Sequence, residues 1–181
     1  YLPGFQQRSR DRIQIMGVTC NYLFFREICA YHCYRNQKAM PKQICVHTED
    51  VNTHGYWIRT AGIDMAPFKK NPVMLWNHSE PWRGTEEEHL PIGVWKDIQV
   101  LDDGRVVMTP EFDLDDEFAA KIAKKYDKGH IRASSISVRI TKWSDDPSDL
   151  KPGQKRPTVT GCELREVSLV IIPGNRNAVT Q

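Results

Sequence analysis

"IGVWKDIQVLDDGRVVMTPEF" (residues 92–112) is two runs of apolar and β-branched residues joined by Asp102, Asp103 and Gly104. Asp-Gly between such runs is a strong hairpin signal, because a tight turn there needs positive φ. The stretch predicts a β-hairpin, and the sequence on either side supplies further strands. Upstream, "KQICVHTED" (42–50) and "YWIRTAG" (56–62) read as short strands around a turn at 52–55. "NPVMLWNH" (71–78) reads as a strand begun by Asn-Pro, and "SEPWRGTEEEHLP" (79–91) as a polar loop.

Downstream, "DLDDEFAAKIAKKYDKG" (113–129) predicts one amphipathic helix. Asp113 or Asp115 can cap it, lysines fill its last turn, and Gly129 stops it. Phe118, Ile122 and Tyr126 recur every fourth residue, with Ala119 and Ala123 beside them, as a single apolar stripe. "RASSISVRITKW" (132–143) is a strand, 144–157 a loop rich in Pro, Gly, Asp and Ser, and "TVTGCELREVSLVIIP" (158–173) a long strand. Many strands with one internal helix predict a mainly β chain, an α+β fold or a helix-decorated barrel.

A chain of 181 residues, 40% hydrophobic, accommodates one domain with or without appendages. Net charge of +2 gives no electrostatic footprint for nucleic acid. Mean hydropathy is −0.54 and no apolar run reaches bilayer-spanning length, which predicts a soluble protein with no membrane partner. Of five cysteines, only Cys162 lies beyond residue 45, an uneven set that argues against a disulfide framework and for a reducing cytoplasm.

Residues 1–39 differ in composition from the rest and show no clear period. We read them as translated upstream sequence or a disordered arm, with Met40 as the start of a domain spanning 40–181 that is truncated at its C-terminus. A signal peptide would need Arg8, Arg10 and Arg12 to precede a clean apolar run, but Gln14, Thr19 and Asn21 break it and Asp11 sits among the arginines. Cys29, His32 and Cys33 have spacing that suits zinc but lack a good partner pair.

Three polar residues occupy strand positions where apolar ones would be cheaper: His78 ends "PVMLWNH", Ser135 sits in "RASSISV", and Glu166 in "LREVSLVII". Buried polar groups need partners, and one economical solution is that they pair with one another. Serine, histidine and a carboxylate are the parts of an activated nucleophile. The bland alternatives are a solvated His78, packed or solvated Ser134, Ser135 and Ser137, and a Glu166 paired with Arg165 or Lys142 at the surface. Alternation puts Ser135, Ser137 and Arg139 on one face of their strand, and Glu166 and Ser168 together on one face of theirs. A metal hydrolase built on His78, Glu80, Glu88 and His89 would be a different class, but this spacing matches no HExxH-type helical site.

"NPVMLWNH", then "PIG" (91–93), "GHIRASSISV" (129–138) and "LREVSLVIIPGNRNA" (164–178) resemble, in that order, the prohead serine proteases that mature the capsids of tailed bacteriophages. "DVNTHGYWIRTAGIDMAPFKKNPV" (50–73) is similar too, so the likeness runs over roughly 45–178. The resemblance implies His78 as base, Ser135 as nucleophile rather than Ser134 or Ser137, and Glu166 as the orienting carboxylate. Ser137 and Val138 stand where the family has Gly and Phe, and Ala133 replaces a frequent Gly. It further implies an antiparallel β-barrel like the herpesvirus maturation protease, and no metal or organic cofactor. The implied work is cleavage of the scaffold, the major capsid protein and the protease itself inside an assembling procapsid in the bacterial cytoplasm, with self-association. The alternative from another class is a catalytically silent, scaffold-binding assembly module on the same fold.

Overall fold

The computed structural model describes residues 14–15, 18–19, 42–79 and 90–180. The chain divides into two compact units, Tyr1–Met40 and Pro41–Gln181. In the first, β1 (Gln14–Ile15) and β2 (Val18–Thr19) pair antiparallel. The arginines of the signal-peptide reading, the Cys29/His32/Cys33 set, Met40, and the Glu80, Glu88 and His89 of the metal reading lie outside the described residues.

The second unit is a mainly β fold. Its seven strands are β3 (Ile44–His47), β4 (Ile63–Asp64), β5 (Val73–Trp76), β6 (Gly93–Val100), β7 (Val106–Phe112), β8 (Ala133–Ser144) and β9 (Thr158–Val170). They lie in the order β3-β7-β6-β5-β9-β4, with β8 also paired to β9. The expected hairpin is β6–β7, and Gly104 takes φ 82° at its turn. Residues 178–180 then bridge β3 to β8 and nearly close the barrel. Cys45 N–H donates to Val179 O (3.2 Å), Ser134 N–H to Ala178 O (2.9 Å) and Thr180 N–H to Arg132 O (2.8 Å).

The expected all-antiparallel barrel is corrected in one place. β9 runs parallel to both β4 and β5, and antiparallel only to β8. The core fills the space between these walls with Ile44, Met74, Trp95, Met108, Val167 and Leu169, each 0–1% exposed. The Trp95 indole N–H donates to Val167 O (2.9 Å), so the largest core side chain leaves no polar atom unmatched.

The long helix is α2 (Glu117–Asp127), after a short α1 (Ala66–Lys70). Its cap is Asp116, not Asp113 or Asp115: the Asp116 carboxylate accepts from Ala119 N–H at 2.6 Å, as an N-cap must. Ala119, Ile122, Ala123 and Tyr126 are buried, as the stripe requires. α1 was hidden from periodicity by its length, although Asp64 followed by Ala66-Pro67 is a start signal; the Asp64 carboxylate accepts from Ala66 N–H (2.9 Å).

Residues 56–62 do not form the expected strand. Ile58 makes one bridge to Val159, and Thr60–Gly62 is a 3-10 turn. Arg59 N–H donates to Val159 O (2.9 Å) as part of that bridge, and Thr60 N–H instead donates to the Glu49 carboxylate (2.8 Å). Among the described residues, no helix is long and apolar enough to cross a membrane.

Candidate active site

β5 ends in a tight turn, Trp76-Asn77-His78-Ser79, closed by Ser79 N–H donating to Trp76 O at 2.9 Å. Both central residues have positive φ, 49° at Asn77 and 56° at His78, the signature of a type I′ turn. Asn tolerates this region well; a histidine there is uncommon and needs the surroundings to hold it. Those surroundings are β9 and the residue that follows it. Asn77 N–H donates to Leu169 O (2.8 Å), the Asn77 side-chain carbonyl accepts from Ile171 N–H (3.1 Å), and His78 N–H donates to Ser168 Oγ (3.1 Å).

The same strand supplies the acid. His78 Nδ1 lies 2.5 Å from Glu166 Oε1, a contact across 88 positions of sequence. Glu166 is only 7% exposed, and its other oxygen accepts from Ser168 Oγ–H at 2.7 Å. The carboxylate is therefore matched on both oxygens, and Ser168, which holds one of them, also holds the His78 backbone. An Nδ1–H donated to Glu166 assigns the basic lone pair of the ring to Nε2.

β8 supplies the serines. Its register with β9 sets Ser135 opposite Ser168 and Ser137 opposite Glu166, all on one face. Beyond that point β9 carries one extra residue: Ser137 faces Glu166 but Val138 faces Leu164, which leaves Arg165 as a bulge. The bulge returns Leu164 to the core face that Val167 and Leu169 already occupy, while Glu166 stays on the other. Ile171, which strict alternation would set on the face of Val167 and Leu169, lies past the end of β9 and is 68% exposed. Ser134 points the opposite way from Ser135, is fully buried, and donates to Cys45 O (2.9 Å), tying β8 to β3.

Ser135, Ser137 and His78 line one cleft of about 290 Å³, together with His47, His54 and Gly174. Gly174 holds Thr53 N–H through its carbonyl (2.9 Å). A methyl at Gly174 would lie 3.9 Å from Ser135 Oγ and 3.8 Å from His54 Nε2, so this glycine leaves open the space between them. The Ser134/Ser135/Ser137 cluster thus divides into one structural serine and two that face the cleft. Arg132 is exposed and does not line the cleft.

Four contributors escaped the sequence reading of the site. Ser168 was legible only as a face-mate of Glu166. His47, His54 and Gly174 come from segments brought in by barrel closure, and local pattern carried no signal for them. Among the described residues no group of three or more His, Cys, Asp or Glu side chains is disposed to hold a metal ion. Comparisons with protein-family models, with curated proteins and with solved structures find no match.

Proposed function

We propose that this protein is a serine endopeptidase of the prohead-protease kind, with Ser135 as nucleophile, His78 as general base and Glu166 as its orienting carboxylate. The observation that carries this reading is the buried Glu166 carboxylate on Nδ1 of His78, whose ring lines one cleft with Ser135. A surface histidine has no need of a buried carboxylate, a strained turn and a serine bracing both. The motif order described above favours the same assignment, and the mainly β, nearly closed barrel agrees with it; in this reading its finer architecture is that of the herpesvirus maturation protease.

In this mechanism Ser135 Oγ attacks the peptide carbonyl carbon and its proton passes to His78 Nε2. Glu166 stays ionised and stabilises the resulting imidazolium. Collapse of the tetrahedral intermediate breaks the C–N bond, and His78 returns the proton to the leaving amine. Water, deprotonated by His78, then cleaves the acyl-enzyme and restores Ser135. The substrates in this reading are the scaffold and major capsid proteins and the chain itself, inside a procapsid assembling in the bacterial cytoplasm.

The test is reaction with a fluorophosphonate followed by peptide mapping, with co-expressed capsid and scaffolding proteins as substrates. An adduct on Ser135, absent in S135A together with all cleavage, is the expected result. An intact protein that forms no adduct and cleaves nothing overturns the reading in favour of a silent assembly module.

A further inference from the structure

Ser135, Ile136, Ser137 and Val138 are consecutive in β8, and all of them line the cleft. Alternate residues of a strand face opposite sides of its sheet, so a cleft resting on either face would meet every second one. A cleft lined by an unbroken run lies along the strand's edge. Burial agrees. Residues 135–138 are all half-buried, whereas Ala133 and Ser134 just before them are 7% and 0% exposed.

The difference is what covers that edge. β8 pairs with β9 along one side from Ala133 to Ser144. On the other side residues 178–180 cover only its beginning. Ala133 bridges Val179 antiparallel, Ser134 N–H donates to Ala178 O (2.9 Å), and Thr180 N–H donates to Arg132 O (2.8 Å). Backbone groups of a strand point alternately to its two sides. Arg132 and Ser134 direct theirs to 178–180, Ser135 and Ser137 direct theirs to β9, and Ile136 and Val138 direct theirs outward again. Among the described residues nothing bonds the Ile136 or Val138 backbone on that outer side. Open edges are usually guarded by charge or proline, and residues 135–138 carry neither; the exposed charges begin at Arg139 and Lys142.

We infer that substrate adds to this edge as an antiparallel strand, its backbone paired to Ile136 and Val138 and its scissile carbonyl at Ser135. This rests on the endopeptidase reading above and names its substrate class: an extended segment with no helix or sheet of its own. The antiparallel sense is the one in which 178–180 already holds the same edge. A chain so seated runs from Val138 toward Ser135, which puts the paired residues N-terminal to the scissile bond. Past Ser135 the edge is taken by Ala178, so the C-terminal side of the substrate leaves it. The substrate residues opposite Ile136 and Val138 each exchange N–H and C=O with β8, and the residue between them turns its backbone away. Proline is excluded at the paired positions, because it has no N–H to give.

The experiment takes a peptide that the full-length wild type cuts in a proteome-derived library and methylates one backbone nitrogen at a time. Methylation at alternate positions N-terminal to the scissile bond should lower kcat/KM about tenfold or more, through the lost donor. Methylation of the residue between them, or beyond the leaving residue on the C-terminal side, should cost less than about threefold. In S135A, which holds the same peptide uncut, exchange of the Ile136 and Val138 amide hydrogens should slow about tenfold or more while that of Ser137 stays unchanged. Losses without a period of two, or a period of two on the C-terminal side, overturn the inference. So does unchanged exchange at both amides under saturating peptide. A dimer in sedimentation whose Ile136 and Val138 amides are protected without peptide also overturns it, since a second copy then holds the edge. A wild type that takes no fluorophosphonate and cuts no peptide fails earlier, before any methylated peptide is compared; that result sinks the endopeptidase reading and this inference with it.

Discussion

His78 Nδ1 and Glu166 Oε1 lie 2.5 Å apart although 88 residues separate them in sequence. The pair exists because β5 and β9 run side by side and parallel, with Trp76 registered on Leu169. The turn after β5 then reverses His78 onto the β9 face that carries Glu166 and Ser168. The carboxylate is bonded on both oxygens and nearly excluded from water. Replacing it with the isosteric amide should preserve the fold and weaken the base. E166Q is expected to lose about 10²–10⁴-fold in cleavage rate, by analogy with orienting carboxylates of other triads. Rate measurement beside circular dichroism of the variant checks it; near-wild-type cleavage would remove Glu166 from the mechanism.

Ser168 braces that pair from beneath. Its hydroxyl donates to Glu166 and accepts from the His78 backbone, and it is fully buried. S168A strands one buried acceptor and one backbone donor, so a loss of about 1–3 kcal/mol is expected in denaturant unfolding. Cleavage should fall as well, because the left-handed His78 loses one of its restraints. Unchanged stability would mean that the brace is idle.

A serine scan separates the cluster in β8. S135A should abolish cleavage and fluorophosphonate labelling. S134A should cleave normally and lose roughly 1 kcal/mol, the usual worth of a buried hydrogen bond such as the one to Cys45 O. S137A should remain active, since alanine keeps that part of the cleft lining small. Activity in S135A combined with inactivity in S137A would move the nucleophile two residues along the same face.

His47 gives the stability a pH dependence of known sign. Burial lowers its pKa from 6.5 to about 4, against the opposing pull of its bond to the Ile58 backbone and of Glu49 and Asp50, while Lys151 pushes the same way as burial. Between those values the unfolded chain binds a proton that the folded one does not. Stability is therefore fully present above about pH 6.5 and falls as pH drops toward 4, by about 3 kcal/mol in all from this residue. Urea titrations of wild type and H47L across pH 4–7 should show this slope in the wild type and its loss in H47L.

Gly93, the last residue of "PIG", is required by the close approach of β6 to β7. It has φ 151°, and a methyl group there would overlap the Glu111 carbonyl oxygen and crowd Phe112 Cα at 2.8 Å. Both obstacles are backbone, so neither can swing aside. G93A should destabilise by about 3 kcal/mol or more, seen as a lowered denaturant midpoint; a change under 1 kcal/mol would refute the contact.

Much of this was legible because it is local. The Asp-Gly turn set the β6–β7 hairpin, a four-residue apolar repeat set α2, and period-two alternation placed Ser135 with Ser137 and Glu166 with Ser168. These depend on neighbours within a few positions, which a linear sequence displays. The strand misread at 56–62 shows the limit. Its apolar alternation was real, but the ladder it makes is the single Ile58–Val159 bridge, and beyond it Thr60 N–H turns to the distant Glu49 carboxylate.

What only the tertiary structure decided is which local pieces face each other. Alternation gave Glu166 a face but not a partner; the parallel β5–β9 register gave it His78. The bulge at Arg165 keeps Leu164 in the core without turning Glu166 away from His78 and Ser168. Residues 178–180, joining β3 to β8, bring His47 to the same cleft as Ser135, and the contact between Thr53 and Gly174 brings His54. Register and closure are chosen by packing between segments far apart in sequence, so the residue types were set by the sequence alone and their meeting by the barrel.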